Sequence, residues 1–94
     1  MNLVFKPEAE EALFEIASWV EQRNTAGSGT RFIERFIDKI EIFVQPHVVY
    51  TICKNAVLAA LQLQCISIDK WVIAFTTDKK SFVVHYIIWG PGLK

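Results

Sequence analysis

The sequence predicts an α+β fold in which two helices pack on one face of an antiparallel sheet. Two apolar runs near the carboxyl end, Trp71 to Thr77 and Ser81 to Trp89, are rich in β-branched and aromatic residues and flank a charged turn, which is typical of a β-hairpin. Two amphipathic patterns upstream indicate helices that need a sheet face on which to bury their apolar stripes. A short extended run, Asn2 to Phe5, precedes the helices.

Length and charge limit the classes to which the protein can belong. The 94 residues form one domain, 1–94, with enough length for a single modest core. Lysine plus arginine equals aspartate plus glutamate, so no global field draws the chain to nucleic acid or to an anionic membrane. No apolar run approaches the roughly 18 residues of a membrane span, and the amino terminus lacks a basic segment followed by an apolar one. We expect a cytoplasmic protein without membrane contact.

The cysteines and histidines do not form a ligand pattern. Cys53 and Cys65 are too few and too dispersed for a disulfide framework or a zinc site, both of which need paired, regularly spaced ligands. No metal-ligand spacing joins His47 to His85 and the cysteines. We expect reduced, buried or incidental thiols, no metal ion and no cofactor.

The first helix is predicted to begin at Pro7 and to end near Arg23 or Asn24. Proline suits the first helical position because its missing amide has no partner there, and the glutamates that follow lie beside the positive end of the helix dipole. Phe14 lies off the apolar stripe, so it is an exposed aromatic, a contact to a partner or a second copy, or a cover for the end of the sheet. The stripe comprises Ala9, Ala12, Leu13, Ile16, Ala17, Trp19 and Val20.

The second helix is predicted from Arg31 onward and is ended by Pro46. Asn24 to Thr30 contains two glycines and a serine, which indicates a flexible joint between the helices. The basic edge formed by Arg31, Arg35 and Lys39 is either a solvated face or a binding patch. The apolar stripe comprises Phe32, Ile33, Phe36, Ile37, Ile40, Phe43 and Val44.

The segment before the hairpin has weaker signals. His47 to Asn55 shows no clear period and is predicted to be a loop. Ala56 to Asp69 is extended in character, but its alternation slips after Cys65, where Ile66 takes the opposite parity. A bulge or bend near Cys65 is expected if this segment is a single strand. With the hairpin, the segment completes a meander of three successive antiparallel strands.

Both faces of the last predicted strand are apolar. A strand of this kind belongs inside a sheet. His85 and Tyr86 are adjacent, so they point to opposite faces and cannot form one acid-base pair unless the strand is bulged. One face carries Phe82, Val84, Tyr86 and Ile88, and the other carries Val83, His85, Ile87 and Trp89.

The order of these elements resembles the RelE/ParE superfamily, the toxin half of bacterial type II toxin-antitoxin modules, which includes plasmid stabilisation proteins. The resemblance covers nearly the whole chain. Its most specific part is the opening, where a strand ending in Phe5, Lys6 and Pro7 leads into the acidic start of a helix. Its second is the ending, where Trp89 and Gly90 occupy the place of the family's terminal His-Gly pair.

The resemblance implies a bacterial cytoplasmic protein that binds a cognate antitoxin and, when freed, either cleaves messenger RNA on the ribosome or inhibits DNA gyrase. RNA cleavage needs a base, an acid and cations within hydrogen-bond reach of the ribose and the phosphate. Here Val72 and Tyr86 stand where the family commonly has Arg in the last two strands, and Pro91 stands where its ending has Arg. The usual cationic residues are largely missing, so whether the chain is an enzyme stays open.

Few residues remain as candidates for chemistry. His85 is the ionisable group of the last strand that titrates near neutral pH, and Tyr86 can stack on a base or donate a hydrogen bond. Both are also explained as core or sheet-surface residues. Several lysines mark either a basic rim at the sheet ends or solvated turns. They are Lys70, Lys79, Lys80 and Lys94.

Three functions remain open at this point. The first is a toxin that acts by protein contact, like the gyrase-directed ParE branch, and is neutralised by an antitoxin that covers its apolar surface. The second is a non-toxic degenerate homologue that serves as a binding module or homodimer through Phe14, Trp19, Trp89 and the apolar hairpin. The third is a ribosome-dependent mRNA endonuclease that uses His85 and the lysines.

Overall fold

The computed structural model describes residues 1–46 and 48–92, so the predictions for His47 and Lys94 fall outside the described residues. The α+β class is confirmed. None of the helices within these ranges has the length and apolar content that crossing a membrane requires. The elements in order are β1 (Asn2–Phe5), α1 (Pro7–Arg23), α2 (Ser28–Glu41), α3 (Ala56–Ala60), β2 (Gln64–Ile68), β3 (Trp71–Thr77), β4 (Ser81–Trp89) and a 3₁₀ turn (Gly90–Gly92).

The sheet is four-stranded and mixed, in the order β1-β4-β3-β2. β2, β3 and β4 form an antiparallel meander, but β1 pairs in parallel with β4, so the three-stranded antiparallel sheet that the sequence predicts is incomplete. The amide of Asn2 donates to the carbonyl of Lys80 at 2.6 Å, and the amide of Lys6 donates to that of Val84 at 2.9 Å. A four-residue run carries no signal of its partner strand, and the intervening helices supply the long crossover that parallel pairing requires.

The main core lies between one face of the sheet and the pair formed by α1 and α2. The rings of Phe75 and Phe82 stack at its centre with their centroids 4.1 Å apart. The prediction that these two helices pack on one sheet face is therefore confirmed. The buried core residues are Ala9, Leu13, Ile16, Phe36, Ile40, Ile66, Ile68, Ile73, Phe75, Phe82, Val84 and Ile87.

A carboxylate of α1 fixes the start of α2. Glu21 accepts hydrogen bonds from the amides of Gly27 at 2.7 Å and Gly29 at 2.8 Å, and these are among the amides that a helix start leaves without partners. Gly29 lies against the carbonyl of Ala17, where a side chain has no room. The segment predicted to be a flexible joint is thus tied to α1, and α2 begins at Ser28, earlier than predicted. It also ends earlier, at Glu41.

The slip in alternation after Cys65 comes from burial on both faces of β2. The bulge or bend near Cys65 was expected only if Ala56 to Asp69 is a single strand, but this segment contains α3 before β2, and β2 pairs with β3 in unbroken register along its whole length. Ile66 and Ile68 face the main core. Leu63 and Cys65 belong instead to a second cluster on the opposite face of the sheet.

The bulge of the sheet lies in β4. Phe75 pairs with Val84, but the preceding residue Ala74 pairs with Tyr86, so β4 carries His85 as one extra residue between these two pairs.

This bulge exchanges the faces of the rest of β4. Val84 lies in the main core before the bulge, and Ile87 lies in the main core after it. Tyr86 and Ile88 pack against the second cluster on the opposite face. The face that the sequence predicts for this strand is therefore wrong beyond His85, because one extra residue inverts every later side chain.

The short helix α3 and its neighbours cover part of the second sheet face. Asn55 caps the helix, since its Oδ1 accepts from the amides of Val57 at 3.0 Å and Leu58 at 3.1 Å. The predicted loop through Asn55 and the predicted extended run from Ala56 miss this helix, although an asparagine before an alanine-rich run is a capping signal. The second cluster comprises Cys53, Leu58, Leu63 and Ala74, with Cys65, Tyr86 and Ile88 packed against it.

Cys53 and Cys65 form a disulfide bond, so the prediction of reduced or incidental thiols is wrong. The chain before α3 runs beside the start of β2. The amide of Cys53 donates to the carbonyl of Leu63 at 2.9 Å, and that of Cys65 donates to Thr51 at 3.3 Å. The two Cα atoms lie 4.9 Å apart, within the usual range for a disulfide. A single bridge needs only two adjacent segments, and a count of cysteines does not reveal that adjacency.

Candidate functional site

A groove of about 600 Å³ lies between the helix pair and one end of the sheet. We call it the tryptophan groove, because all three tryptophans of the chain line it. Its volume falls in the range of small-molecule and cofactor sites. It is lined by Ala12, Glu15, Ile16, Trp19, Val20, Phe32, Trp71, Ile87 and Trp89.

The sheet side of the tryptophan groove depends on the two inner strands. Trp71 begins β3 and Trp89 ends β4, and the two residues are paired across the strands. Their rings meet edge to face with centroids 5.0 Å apart. Because the bulge at His85 turns the end of β4 toward the helices, Ile87 and Trp89 line the groove instead of the opposite sheet face.

Both sides of the tryptophan groove present exposed aromatic surface, from Trp19 of α1 and Trp89 of β4. Trp19 is 56% exposed and Trp89 is 46% exposed. The guanidinium of Arg23 lies 4.2 Å from the centroid of the Trp19 ring, which is a cation-π contact. Phe32 of α2 completes the lining.

The lining of the tryptophan groove favours binding over catalysis. Glu15 is its one titratable residue among the described side chains, and no nucleophile or second acid-base group lies beside it. Acid-base chemistry needs at least a donor and an acceptor within reach of the reacting atoms. Large, partly exposed aromatic residues instead resemble the anchors of protein interfaces.

A second set of polar groups lies on the opposite face of the sheet. The bulge places His85 and Tyr86 on the same face, with ring centroids 6.4 Å apart, so the predicted separation onto opposite faces is wrong. The imidazole Nε2 of His85 and the hydroxyl Oγ1 of Thr76 share a hydrogen bond of 2.9 Å. Thr76 was not among the predicted residues, since only the register of β3 against β4 brings it to His85.

The surroundings of His85 favour the neutral form of its imidazole. Burial lowers the pKa of His85, and the positive charge of Lys6 lowers it further, while Glu8 acts in the opposite direction. A neutral imidazole can accept a proton and therefore serve as a base. The described part of this face contains no arginine, because the last arginine of the chain, Arg35, lies on α2.

The remaining predicted residues lie apart from one another. Phe14 is 75% exposed on α1. Lys70 lies in the turn before β3, whereas Lys79 and Lys80 lie in the turn after it, so the two sets are at opposite ends of that strand. Asp78 Oδ1 accepts from the amide of Lys80 at 2.8 Å, which is typical of a turn.

Sequence reasoning named two of the three groove tryptophans and missed Trp71, Phe32 and Ile87. The sequence signal that could have identified this groove is the position of the tryptophans at the ends of predicted elements. In the described ranges, no group of three histidine, cysteine or acidic side chains could hold a metal ion. No protein-family model matches the sequence, and no curated protein matches it.

Proposed function

We propose that this chain is the toxin of a bacterial type II toxin-antitoxin module, that it acts by protein contact, and that an antitoxin segment neutralises it by occupying the tryptophan groove. The observation that carries the proposal is the convergence of all three tryptophans on one groove.

The element order supports the RelE/ParE part of the proposal. A short strand, a helix pair and an antiparallel meander follow one another in the order that the resemblance implies. β1 ends at Phe5, and Lys6 leads directly into the acidic start of α1.

The chemistry of the groove supports a protein partner. Burying apolar surface is favourable by about 25 cal/mol per Å². Binding of an apolar segment over Trp19 and Trp89 is therefore stabilised, because it removes their exposed surface from water. Tryptophan is enriched among the residues that dominate protein-protein affinity.

The distribution of cations favours the gyrase-directed branch over RNA cleavage. Stabilising a phosphate needs several positive groups close together, and Lys6 is the cation that acts on His85. Val72 and Tyr86 occupy the strand positions at which the resemblance leads us to look for arginine.

Induction of the lone chain in a bacterial host tests the proposal. We expect growth arrest, and relief when a small adjacent open reading frame is co-expressed. Normal growth at confirmed soluble expression contradicts toxicity. Trp19→Ser should remain toxic but escape neutralisation, because it removes an anchor of the groove. Val57→Ser, which replaces an exposed apolar residue on α3, is the matched control and should be neutralised normally.

One observation favours a second candidate, a ribosome-dependent mRNA endonuclease. The shared face of His85 and Tyr86 places a base and a phenol on one surface. Cleavage of messenger RNA in a translation assay that is lost in His85→Gln supports this candidate. Intact messenger RNA during growth arrest removes it. Complex formation without any toxicity indicates the remaining function, a non-toxic binding module.

A further inference from the structure

A second apolar groove lies between α1 and α2 and shares no lining residue with the tryptophan groove. We call it the outer groove. Its volume is about 340 Å³. It is lined by Glu10, Leu13, Phe14, Ala17, Thr30, Ile33 and Glu34.

Phe14 gives the outer groove its exposed apolar surface. Its side chain is 75% exposed and lies outside the main core, so the fold does not require an aromatic residue there. Leu13 and Ile33 lie lower in the groove, where both are largely shielded from water. An exposed aromatic beside partly covered aliphatic side chains is typical of an unoccupied contact surface.

The rim of the outer groove carries negative charge on both helices. Glu10 comes from α1 and Glu34 from α2, and none of the described lining residues is basic. Asp38 is one helical turn beyond Glu34 and continues the acidic row on the same side of α2. Lys39 points elsewhere, because its ammonium pairs with Asp69 at 2.9 Å beside the turn between β2 and β3.

Helix stability accounts for Glu10, which lies in the first turn of α1, but not for the acidic residues toward the end of α2. Asp38 and Glu41 lie near the carboxyl end of α2, where the helix dipole disfavours negative charge. A second copy of the chain is a poor occupant, because an isologous contact over Phe14 brings Glu10 and Glu34 of one copy toward the same carboxylates of the other.

We infer that the outer groove is a docking site for a basic amphipathic helix of a partner protein. An apolar side chain of that helix covers Phe14 and Ile33, while flanking lysine or arginine residues face Glu10 and Glu34. The inference does not depend on the proposed toxin function, since no residue of the tryptophan groove takes part.

A fluorescently labelled helical peptide of leucine and lysine, about 14 residues long, is the probe, and a leucine-glutamate peptide of the same pattern is its counterpart. Fluorescence anisotropy should show saturable binding of the leucine-lysine peptide and at least about tenfold weaker binding of the counterpart. Equal binding of the two peptides, or no binding of either, overturns the inference.

Variants distinguish binding of the peptide in the outer groove from its nonspecific attraction to other acidic surface. Phe14→Ser changes no charge, and it should weaken binding of the leucine-lysine peptide by about tenfold. The variant should unfold at the same temperature as the parent chain. Glu10→Gln should also weaken binding, whereas Glu11→Gln, one residue away and outside the groove, should not. Equal effects of these two glutamate variants, or loss of binding in Trp19→Ser with Phe14→Ser unaffected, contradict the assignment.

Discussion

His85 determines which side chains of β4 face the helix pair, because it is the extra residue of the bulge. Without the bulge, Ile87 and Trp89 would lie on the opposite face, and the tryptophan groove would lose its sheet side. The same residue carries a hydrogen bond to Thr76 and a lowered pKa. His85 thus determines which side chains line the tryptophan groove on one face of the sheet, while its own imidazole lies on the opposite face.

The lowered pKa of His85 makes stability depend on pH below neutrality. The unfolded chain binds a proton near the ordinary value of 6.5, whereas the folded chain resists that proton, so stability falls as the pH drops below 6.5. Thermal unfolding at a series of pH values from 7.5 to about 5.5 should show this loss in the parent chain and a smaller loss in His85→Gln. Identical pH profiles for the two chains contradict the account.

Glu21 gives a second pH dependence at lower pH. Hydrogen bonds from the amides of Gly27 and then Gly29 lower the pKa of its carboxyl, and burial partly opposes this effect. Its contribution to stability is therefore present above 4.5 and is lost as the pH falls through the lowered folded value. Glu21→Gln should lower the urea midpoint at pH 7, and Glu11→Gln, which caps no amide, should not. Equal midpoints for Glu21→Gln and the parent chain would show that the carboxylate does not hold α2.

At the scale of elements, the disulfide holds the α3 segment against the sheet. Cys53 and Cys65 enclose α3 and belong to the second cluster, whereas the main core lies on the other face. For a loop of this length the chain-entropy estimate gives about 3 kcal/mol of stabilisation. Replacing both cysteines by serine should lower the free energy of unfolding by roughly that amount in urea titrations.

The double-serine variant should lose stability locally, around α3, as well as globally. Hydrogen exchange in the double-serine variant should rise first at the amides of α3, because the second cluster is small and loses the disulfide bond that stabilises it. Amides of β3 and β4 that border the main core should keep their protection. A uniform rise across the sheet contradicts the separation of the two clusters.

Elements whose signals are local could be predicted from the sequence. α1 begins at Pro7 as predicted, and β3 and β4 span the predicted ranges, because proline, charged turns and β-branched runs act on their immediate neighbours. The start of α2 was missed because its cap, Glu21, lies in the preceding helix. The bulge at His85 depends on packing of both sheet faces, and no single residue type specifies it.

For the whole molecule, the sequence predicted the class of fold and only part of the candidate site. Trp19 and Trp89 were singled out, but the tryptophan groove also needs Trp71 and Phe32, which come from other elements. The parallel pairing of β1 and the contact between Cys53 and Cys65 are likewise long-range. Such features follow from tertiary packing, and a periodic pattern in one segment does not contain them.

We propose that a protein partner binds in the tryptophan groove. Because every tryptophan of the chain lines this groove, tryptophan emission reports directly on its occupancy. The chain should be titrated with a purified protein that relieves its growth arrest on co-expression, with any tryptophan of that protein replaced by phenylalanine. We predict that the emission maximum moves to shorter wavelength and saturates at a fixed stoichiometry, since the partner excludes water from the indoles. A complex that forms while the emission maximum stays at its value in the free chain would contradict the claim.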